Sequence, residues 1–118
     1  MNYNQSEENA RKIKAELEEK GYWIEIFKAD ISKRKEVSDL VQFALDKLGK
    51  IDVLVNNAGI TLWKLFTETT EEDWNHIMNT NLHSVFYTAQ EVLKDMIQHK
   101  SGCIINISSI WGMVGRIL

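Results

Sequence analysis

The segment 51–60, IDVLVNNAGI, constrains the fold most strongly, because an apolar run changes within it to two amides and two very small residues. The run 51–55 predicts a strand that is buried on both faces. In open α/β sheets, ligands bind at the carboxyl edge of the strands, which is where residues 56–59 would lie. The absence of side-chain bulk there would allow a flat ligand to approach the backbone. An ordinary turn after a strand is the alternative interpretation, since Asn and Gly are common in turns.

Apolar periodicity and capping residues predict an alternation of three helices with three strands. The helices are expected at 7–20, 33–48 and 71–99, with Ser6, Ser32 and Thr70 as N-caps, and the strands at 22–29, 51–55 and 103–107. The short polar stretch 2–6 reads as irregular. This α-β-α-β-α-β order is typical of β-α-β crossovers and therefore of a parallel sheet.

The third helix places one polar residue, Asn81, within an apolar stripe. The stripe comprises Trp74, Ile77, Met78, Asn81, Val85, Ala89, Val92, Leu93 and Met96. A buried amide without a hydrogen bond costs about 1–3 kcal/mol, so Asn81 is either a staple of the core or a functional group facing a cleft. The length of this helix also predicts a kink or an extended face for a partner.

Polar residues follow each predicted strand at its carboxyl end: Asp30, Asn56-Asn57 and Ser108-Ser109. Since parallel strands end at a common edge, these three clusters are expected to line one edge of the sheet, which makes that edge the candidate site. Ser109 lacks the glycine-flanked context of a hydrolase nucleophile. A neutral hydroxyl beside amides suits binding and polarising a carbonyl instead.

Composition excludes several other classes of function. A net charge of −3 argues against a nucleic-acid or anionic-membrane surface as the main partner. The three histidines all fall in the predicted third helix with a spacing that does not suit one metal ion, so no metal is expected. A single cysteine, Cys103, allows no internal disulfide and predicts a reducing cytoplasm. No apolar run approaches the length of a membrane span.

Four motifs together resemble the short-chain dehydrogenase/reductase family, and most of all its 3-oxoacyl-(acyl-carrier-protein) reductases. They are Asp30-Ile31, Asn56-Asn57-Ala58-Gly59, Asn81-Leu82 and Asn106-Ile107-Ser108-Ser109. The resemblance implies a Rossmann-type doubly wound parallel sheet over residues 1–118, with an NAD or NADP cofactor. It further implies hydride transfer to or from a carbonyl or alcohol, with a carrier-bound 3-oxoacyl thioester as the expected substrate.

The resemblance also implies roles for individual residues. Asp30 and Ile31 would border the adenine, while Asn57, Ala58 and Gly59 would line the nucleotide near its ribose. Ser109 would hydrogen-bond the substrate carbonyl. Asn81 would hold a helix kink and a water on the proton-relay path. The helix 71–99 would pack against other subunits of a homo-oligomer.

The chain departs from the family pattern in two places. It contains no glycine trio after a first strand to cradle phosphate, and none of Tyr3, Tyr22 and Tyr87 is followed four residues on by Lys. The resemblance therefore implies only the middle part of a family member, with the first βαβ unit and the catalytic tyrosine missing. We expect the 118 residues to be inactive alone, and either to belong to a longer protein, to close a three-stranded sheet or to exchange elements with a second copy.

Three alternatives remain from the sequence. The chain could be a non-catalytic α/β module that uses the long helix as a binding surface. A receiver-like domain is disfavoured because Asp30 alone does not make an acidic cluster. Trp63, Phe66, Ile110 and Trp111 could form an apolar wall for an acyl chain, or could belong to the core or an interface.

Overall fold

The computed structural model describes residues 1–110 and shows helices that alternate with short parallel strands. The elements are β1 (Asn2–Tyr3), α1 (Glu7–Glu19), β2 (Phe27–Lys28), α2 (Arg34–Leu48), β3 (Val53–Asn56), a 3-10 turn (Phe66–Glu68), α3 (Glu71–Met78), a π-helical turn (Asn79–His83), α4 (Ser84–His99) and β4 (Cys103–Asn106). None of the helices in this described part is long and apolar enough to cross a membrane.

The strands form two separate parallel pairs, β1–β2 and β3–β4. The predicted strand 22–29 was wrong in extent, since only Phe27 and Lys28 are paired as a strand. Their partners, Asn2 and Tyr3, lie in a stretch that the sequence suggested was irregular. Within residues 1–110 there is no single sheet and no three-stranded sheet, so the alternative in which the chain closes a three-stranded sheet is wrong.

Strand β3 is buried on one face only, which corrects the prediction of burial on both. Leu54 packs against the core, whereas Val53 and Val55 are 52% and 53% exposed. The alternation follows from the strand period of two. Helix α4 covers the Leu54 face, and the described residues leave the opposite face open.

The core lies where α2 packs on α4 and on the β3–β4 pair. Val37, Val41, Ile51, Val92 and Met96 form the buried cluster. Arg34, at the first turn of α2, is exposed, and its guanidinium lies 5.4 Å from the Tyr87 ring centroid and donates a hydrogen bond to Gln90. It therefore also links α2 to α4.

The predicted helix 71–99 is interrupted by the π-helical turn, so it is not one regular α-helix. A π turn adds one residue to the helical repeat and so changes which residues face the core. The buried face of α4 is therefore Ser84, Thr88, Val92 and Met96. Asn81 lies in the π turn and is exposed, so it is not a core residue.

The helix termini agree partly with the capping predictions. Thr70 and Asp73 form a reciprocal capping box at α3, and Lys64 together with Thr70 lowers the pKa of Asp73 to about 2. Ser6 makes no side-chain cap bond at α1. At α2 the N-cap is Lys33, because the Ser32 hydroxyl donates to Asp30 instead.

Candidate functional site

The carboxyl ends of β3 and β4 are joined by a side-chain link. Asn56 Nδ2 donates to Asn106 Oδ1 at 2.9 Å, and the Ile107 amide donates to the Asn56 carbonyl at 2.9 Å. On the helix side, Thr88 Oγ1 lies 2.7 Å from Asn56 Oδ1, and Thr88 is 5% exposed. The two strand ends, and the residues that follow them, are therefore fixed relative to α4. We call this set the Asn56 link, consisting of Asn56, Thr88 and Asn106.

A second contact fixes the loop that follows β3. The Ile60 amide donates to Asn81 Oδ1 at 2.8 Å, and Asn81 Nδ2 donates to the Ile60 carbonyl at 2.9 Å. Asn81 thus holds the loop directly after Gly59 against the π turn. Interruptions of this kind occur frequently at functional sites in helices.

Gly59 is not required by the conformation or the packing of the described residues. Its φ is not positive, unlike those of Gly21 and Gly49. A Cβ added at Gly59 would meet only the Asn81 carboxamide, at the ordinary contact distance of 3.5 Å. The position is therefore open toward solvent, and the missing side chain leaves room for an external group to reach the backbone.

The Asp30 carboxylate bonds mainly to residues of the turn that directly follows it. Its Oδ1 accepts from the Ser32 hydroxyl at 2.7 Å and from the Ser32 amide at 3.1 Å, and Lys33 Nζ lies 3.5 Å from Oδ2. The Ser32 hydroxyl is the main cause that lowers the pKa of Asp30. The Asp30 amide in turn donates to Glu36 at 2.7 Å. This turn orients Ile31, which packs against the core cluster.

A cleft of about 270 Å³ lies between the two strand pairs and brings three of the predicted cofactor-binding residues together. Ile31, Asn57 and Ala58 line its carboxyl end, whereas Asp30 and Gly59 do not line it. The two predicted catalytic residues, Asn81 and Ser109, also lie outside its lining. Ser109 is exposed and follows β4, whose ladder to Asn56 ends at Ile107.

The sequence prediction of one common edge is thus only partly matched by the structure. The ends of β3 and β4 meet directly, but Asp30 follows β2, which belongs to the other pair. Sequence reasoning missed the role of Thr88. The signal was present, because Ser84 and Thr88 are hydroxyl residues one helical turn apart in a mostly apolar helix.

Two further expectations concern metals and aromatic residues. Residues 1–110 contain no group of three His, Cys, Asp or Glu side chains able to hold a metal ion. Trp63, Phe66 and Ile110 are 73%, 83% and 67% exposed, so they are not core residues. Trp111, the fourth member of the proposed apolar wall, lies outside the described residues.

Comparison with known proteins identifies the family. A model of the short chain dehydrogenase family matches residues 1–118. The chain belongs to the short-chain dehydrogenase family. It is therefore an oxidoreductase by family, as the resemblance in the sequence implied.

Individual relatives are consistent with this assignment. The chain is 41% identical over 110 residues to a 3-oxoacyl-(acyl-carrier-protein) reductase of Chlamydia pneumoniae, covering 93% of the chain and 44% of the relative. It is 42% identical over 116 residues to a 3-oxoacyl-(acyl-carrier-protein) reductase of Synechocystis sp., covering 98% and 47% respectively.

A solved structure confirms the Rossmann-like α/β fold. The crystal structure of gox2181 superposes with a TM-score of 0.88 at 25% identity, covering 92% of this chain and 43% of that protein. The chain thus spans less than half the length of each of these relatives.

Proposed function

We propose that this chain supplies the cofactor-facing wall and the carbonyl-binding serine of an NAD(P)-dependent oxidoreductase. The substrate proposed is a carrier-bound 3-oxoacyl thioester, by analogy with the Chlamydia pneumoniae and Synechocystis sp. relatives. The observation that carries the proposal is the Asn56 link, which holds together the two strand ends that bear Asn57-Ala58-Gly59 and Ser109.

The proposed roles follow from chemistry at this edge. Ile31, Asn57 and Ala58 line the carboxyl end of the cleft and suit an adenine and ribose, with Asp30 and Gly59 at its margins. The open backbone at Gly59 is compatible with such a flat ligand. A nicotinamide cofactor supplies the hydride.

The catalytic roles fall to Ser109 and Asn81. The Ser109 hydroxyl donates a hydrogen bond to the substrate carbonyl oxygen, on which negative charge develops as hydride arrives. Asn81 positions the loop after Gly59 through its two bonds to Ile60.

A chimeric enzyme tests this function. The part of the Synechocystis sp. reductase that matches this chain is replaced by residues 1–118, and NADPH oxidation is followed with a 3-oxoacyl thioester. We expect turnover, and a fall in kcat of about 10²–10³-fold in Ser109→Ala, as for loss of one oxyanion donor. Ser108→Ala is the matched control and should retain activity within about twofold. Equal losses in both variants, or no turnover from a folded chimera, would contradict the assignment.

We propose that the 118 residues are inactive by themselves. They contain no glycine-rich phosphate loop and no Tyr-x-x-x-Lys pair. Without the former, pyrophosphate lacks a helix N-terminus to bind, and without the latter the carbonyl lacks its proton donor. Purified chain mixed with NADPH and the same thioester should show no turnover. A rate typical of an enzyme of this family would refute this proposal.

We further propose that α4 packs against a second copy in a homo-oligomer. Four apolar side chains lie exposed along the π turn and α4, at Leu82, Phe86, Leu93 and Ile97. Exposed stripes of this kind mark interfaces. Ile97→Glu should lower the mass of the chimera measured by sedimentation, whereas Gln98→Glu should not. The same stripe would serve a non-catalytic module, and an assembled but inactive chimera would favour that alternative.

We propose the cytoplasm as the location, consistent with the exposed free Cys103.

A further inference from the structure

The loop that follows Gly59 runs back along α3 and is bound to the helix at two points. Ile60 is held at Asn81, in the π turn after α3, by two hydrogen bonds. Further along the loop, Lys64 Nζ donates to Asp73 Oδ2, in the first turn of α3, at 2.6 Å. The chain from 60 to 64 therefore runs antiparallel to the helix. We call residues 60–64 the strap.

The two anchors of the strap are spaced to match each other. An extended chain advances about 3.3 Å per residue, so the strap spans about 13 Å from residue 60 to residue 64. A helix rises about 1.5 Å per residue, so Asp73 and Asn81 lie about 12 Å apart along the axis. An extended strap can therefore reach both anchors at once, and neither end can shift along the helix without losing its bond.

Exposure along the strap alternates as expected for an extended segment. Ile60, Leu62 and Lys64 are half-buried, whereas Thr61 and Trp63 are exposed. This period of two is that of a strand. Among the described residues, the backbone of Thr61 and Leu62 makes no backbone-to-backbone hydrogen bond. The position of the strap therefore depends mainly on its two anchors.

The Lys64 anchor is built into the N-terminal cap of α3. The Asp73 Oδ2 atom that accepts from Lys64 also accepts from the Thr70 amide at 2.9 Å, and the Asp73 amide donates to the Thr70 hydroxyl at 3.1 Å. The hydrogen bond from Lys64 is the main cause that lowers the pKa of Asp73 to about 2, so this carboxylate is charged at neutral pH. Because the cap fixes the carboxylate, the ammonium group that binds it is fixed as well.

We propose that Lys64 is a positioning residue of the candidate site, which, clamped by Asp73, holds the strap along α3 and thereby fixes the backbone at Gly59 and Ile60. This inference rests on the proposed function, in which Gly59 borders the nucleotide. The bonds at Ile60 alone leave the far end of the strap free to move. A strap released at Lys64 would occupy several positions, and the cofactor would bind only to the fraction of molecules with Gly59 in place.

Hydrogen exchange of the purified chain tests the clamp without cofactor or substrate. The Ile60 amide, which donates to Asn81, reports whether the strap stays in place. Lys64→Met keeps the aliphatic stem but removes the ammonium group, and it should speed exchange at Ile60 about fivefold while Ile105 is unchanged. Lys64→Arg keeps a cation for Asp73 and should stay within about twofold of the parent. Equal acceleration at Ile60 and Ile105, or none at Ile60, would overturn the proposal.

Kinetics of the chimera test the consequence for the cofactor. Lys64→Met should raise KM for NADPH about three- to fivefold and leave kcat within about twofold, because it weakens binding without touching the reacting atoms. Lys64→Arg should restore the parent KM. Lys35→Met is the matched control for charge, since it removes an ammonium group paired with Asp39 at 2.9 Å on α2, and it should change neither constant. Equal changes in Lys64→Met and Lys35→Met, or a lower kcat with an unchanged KM, would overturn the proposal.

A double-mutant cycle shows whether Lys64 acts through Asp73. Asp73→Asn removes the charge that Lys64 binds, and adding Lys64→Met to it should change KM for NADPH less than about twofold further, because both changes break the same bond. Effects that multiply would show that Lys64 acts elsewhere and would overturn the proposal. A parent chimera without turnover contradicts the proposed function instead, and exchange at Ile60 in the chain then decides on the clamp.

Discussion

The two strand pairs differ in how they are held. Strands β3 and β4 pair over four residues, carry the Asn56 link at their carboxyl ends and lie on α4. Strands β1 and β2 pair over two residues, supported by the Asn2 carboxamide, which donates to the Phe27 and Ala29 carbonyls at 3.3 and 3.0 Å. No direct pairing joins the pairs within residues 1–110.

This difference separates a strand pair whose carboxyl ends are joined by side chains from a strand pair with a short ladder. The end of the β3–β4 pair, which bears most of the candidate site residues, is fixed by side chains that all belong to this chain. The β1–β2 pair has no comparable link between its strand ends and is held chiefly by its two-residue ladder and the Asn2 carboxamide.

The largest effect is expected at Gly102, before β4. A Cβ there would lie 2.4 Å from Met96 Cγ and Sδ and 2.9 Å from Met96 Cβ, in the core. Gly102→Ala should lower the free energy of unfolding by about 1–3 kcal/mol in urea denaturation. Gly59→Ala, whose new methyl meets only Asn81 at 3.5 Å, is the control and should cost less than about 0.5 kcal/mol. A cost in Gly102→Ala as small as that in Gly59→Ala would show that the packing before β4 is not tight.

Loss of the Thr88 hydroxyl should rank next. Thr88→Val removes the partner of Asn56 Oδ1 at a nearly constant volume, leaving a half-buried amide oxygen unpaired. We expect a loss of about 1–2 kcal/mol in global unfolding. Val85→Thr exchanges the same two residue types on the same helix, outside the Asn56 link, and serves as the control. An unchanged free energy in Thr88→Val would mean that the Asn56 link does not stabilise the strand ends.

A smaller and local effect is expected in the other pair. Asn2→Ala removes the carboxamide that bonds the end of β2, at a cost of about 0.5–1.5 kcal/mol. Faster hydrogen exchange should be confined to Phe27 and Ala29, while Ile105 stays protected. Equal acceleration in both pairs would show that they unfold as one unit and would break the contrast.

Acid should also act on the β1–β2 side first. The pKa values of Asp30 and Glu36 are lowered, chiefly by bonds from the Ser32 hydroxyl and from the Asp30 amide respectively. A carboxyl group whose pKa is lowered by folding stabilises the fold fully at pH values above its unfolded pKa, which is 3.8 for Asp30. This stabilisation is lost as the pH falls through the pKa of the folded state. The Asn56 link contains no titrating group. Amide signals of residues 30–36 should therefore change below pH 3.8 before those of residues 103–106, and the reverse order would contradict this.

The sequence predicted the helices better than the strands. Gly21 and Gly49 are local signals for the ends of α1 and α2, and the Thr70 cap is a local signal for the start of α3. These three helix boundaries lie close to the predicted ones. The extent of a strand depends on the neighbouring strands with which it pairs. The sequence of the predicted strand 22–29 alone therefore could not show that only two of its eight residues are paired. The exposure of Asn81 was missed because a uniform helical period cannot anticipate the π turn, after which the buried face continues as Ser84 and Thr88.

The most direct test of the proposed cofactor wall is a nuclear magnetic resonance titration of the chimeric enzyme, isotope-labelled, with NADPH and, separately, NADH at millimolar concentration. We expect amide shift changes concentrated at Ile31, Asn57, Ala58 and Gly59, with smaller ones at Ser109. Changes confined to α1, or none at the ends of β3 and β4, would contradict the proposed wall.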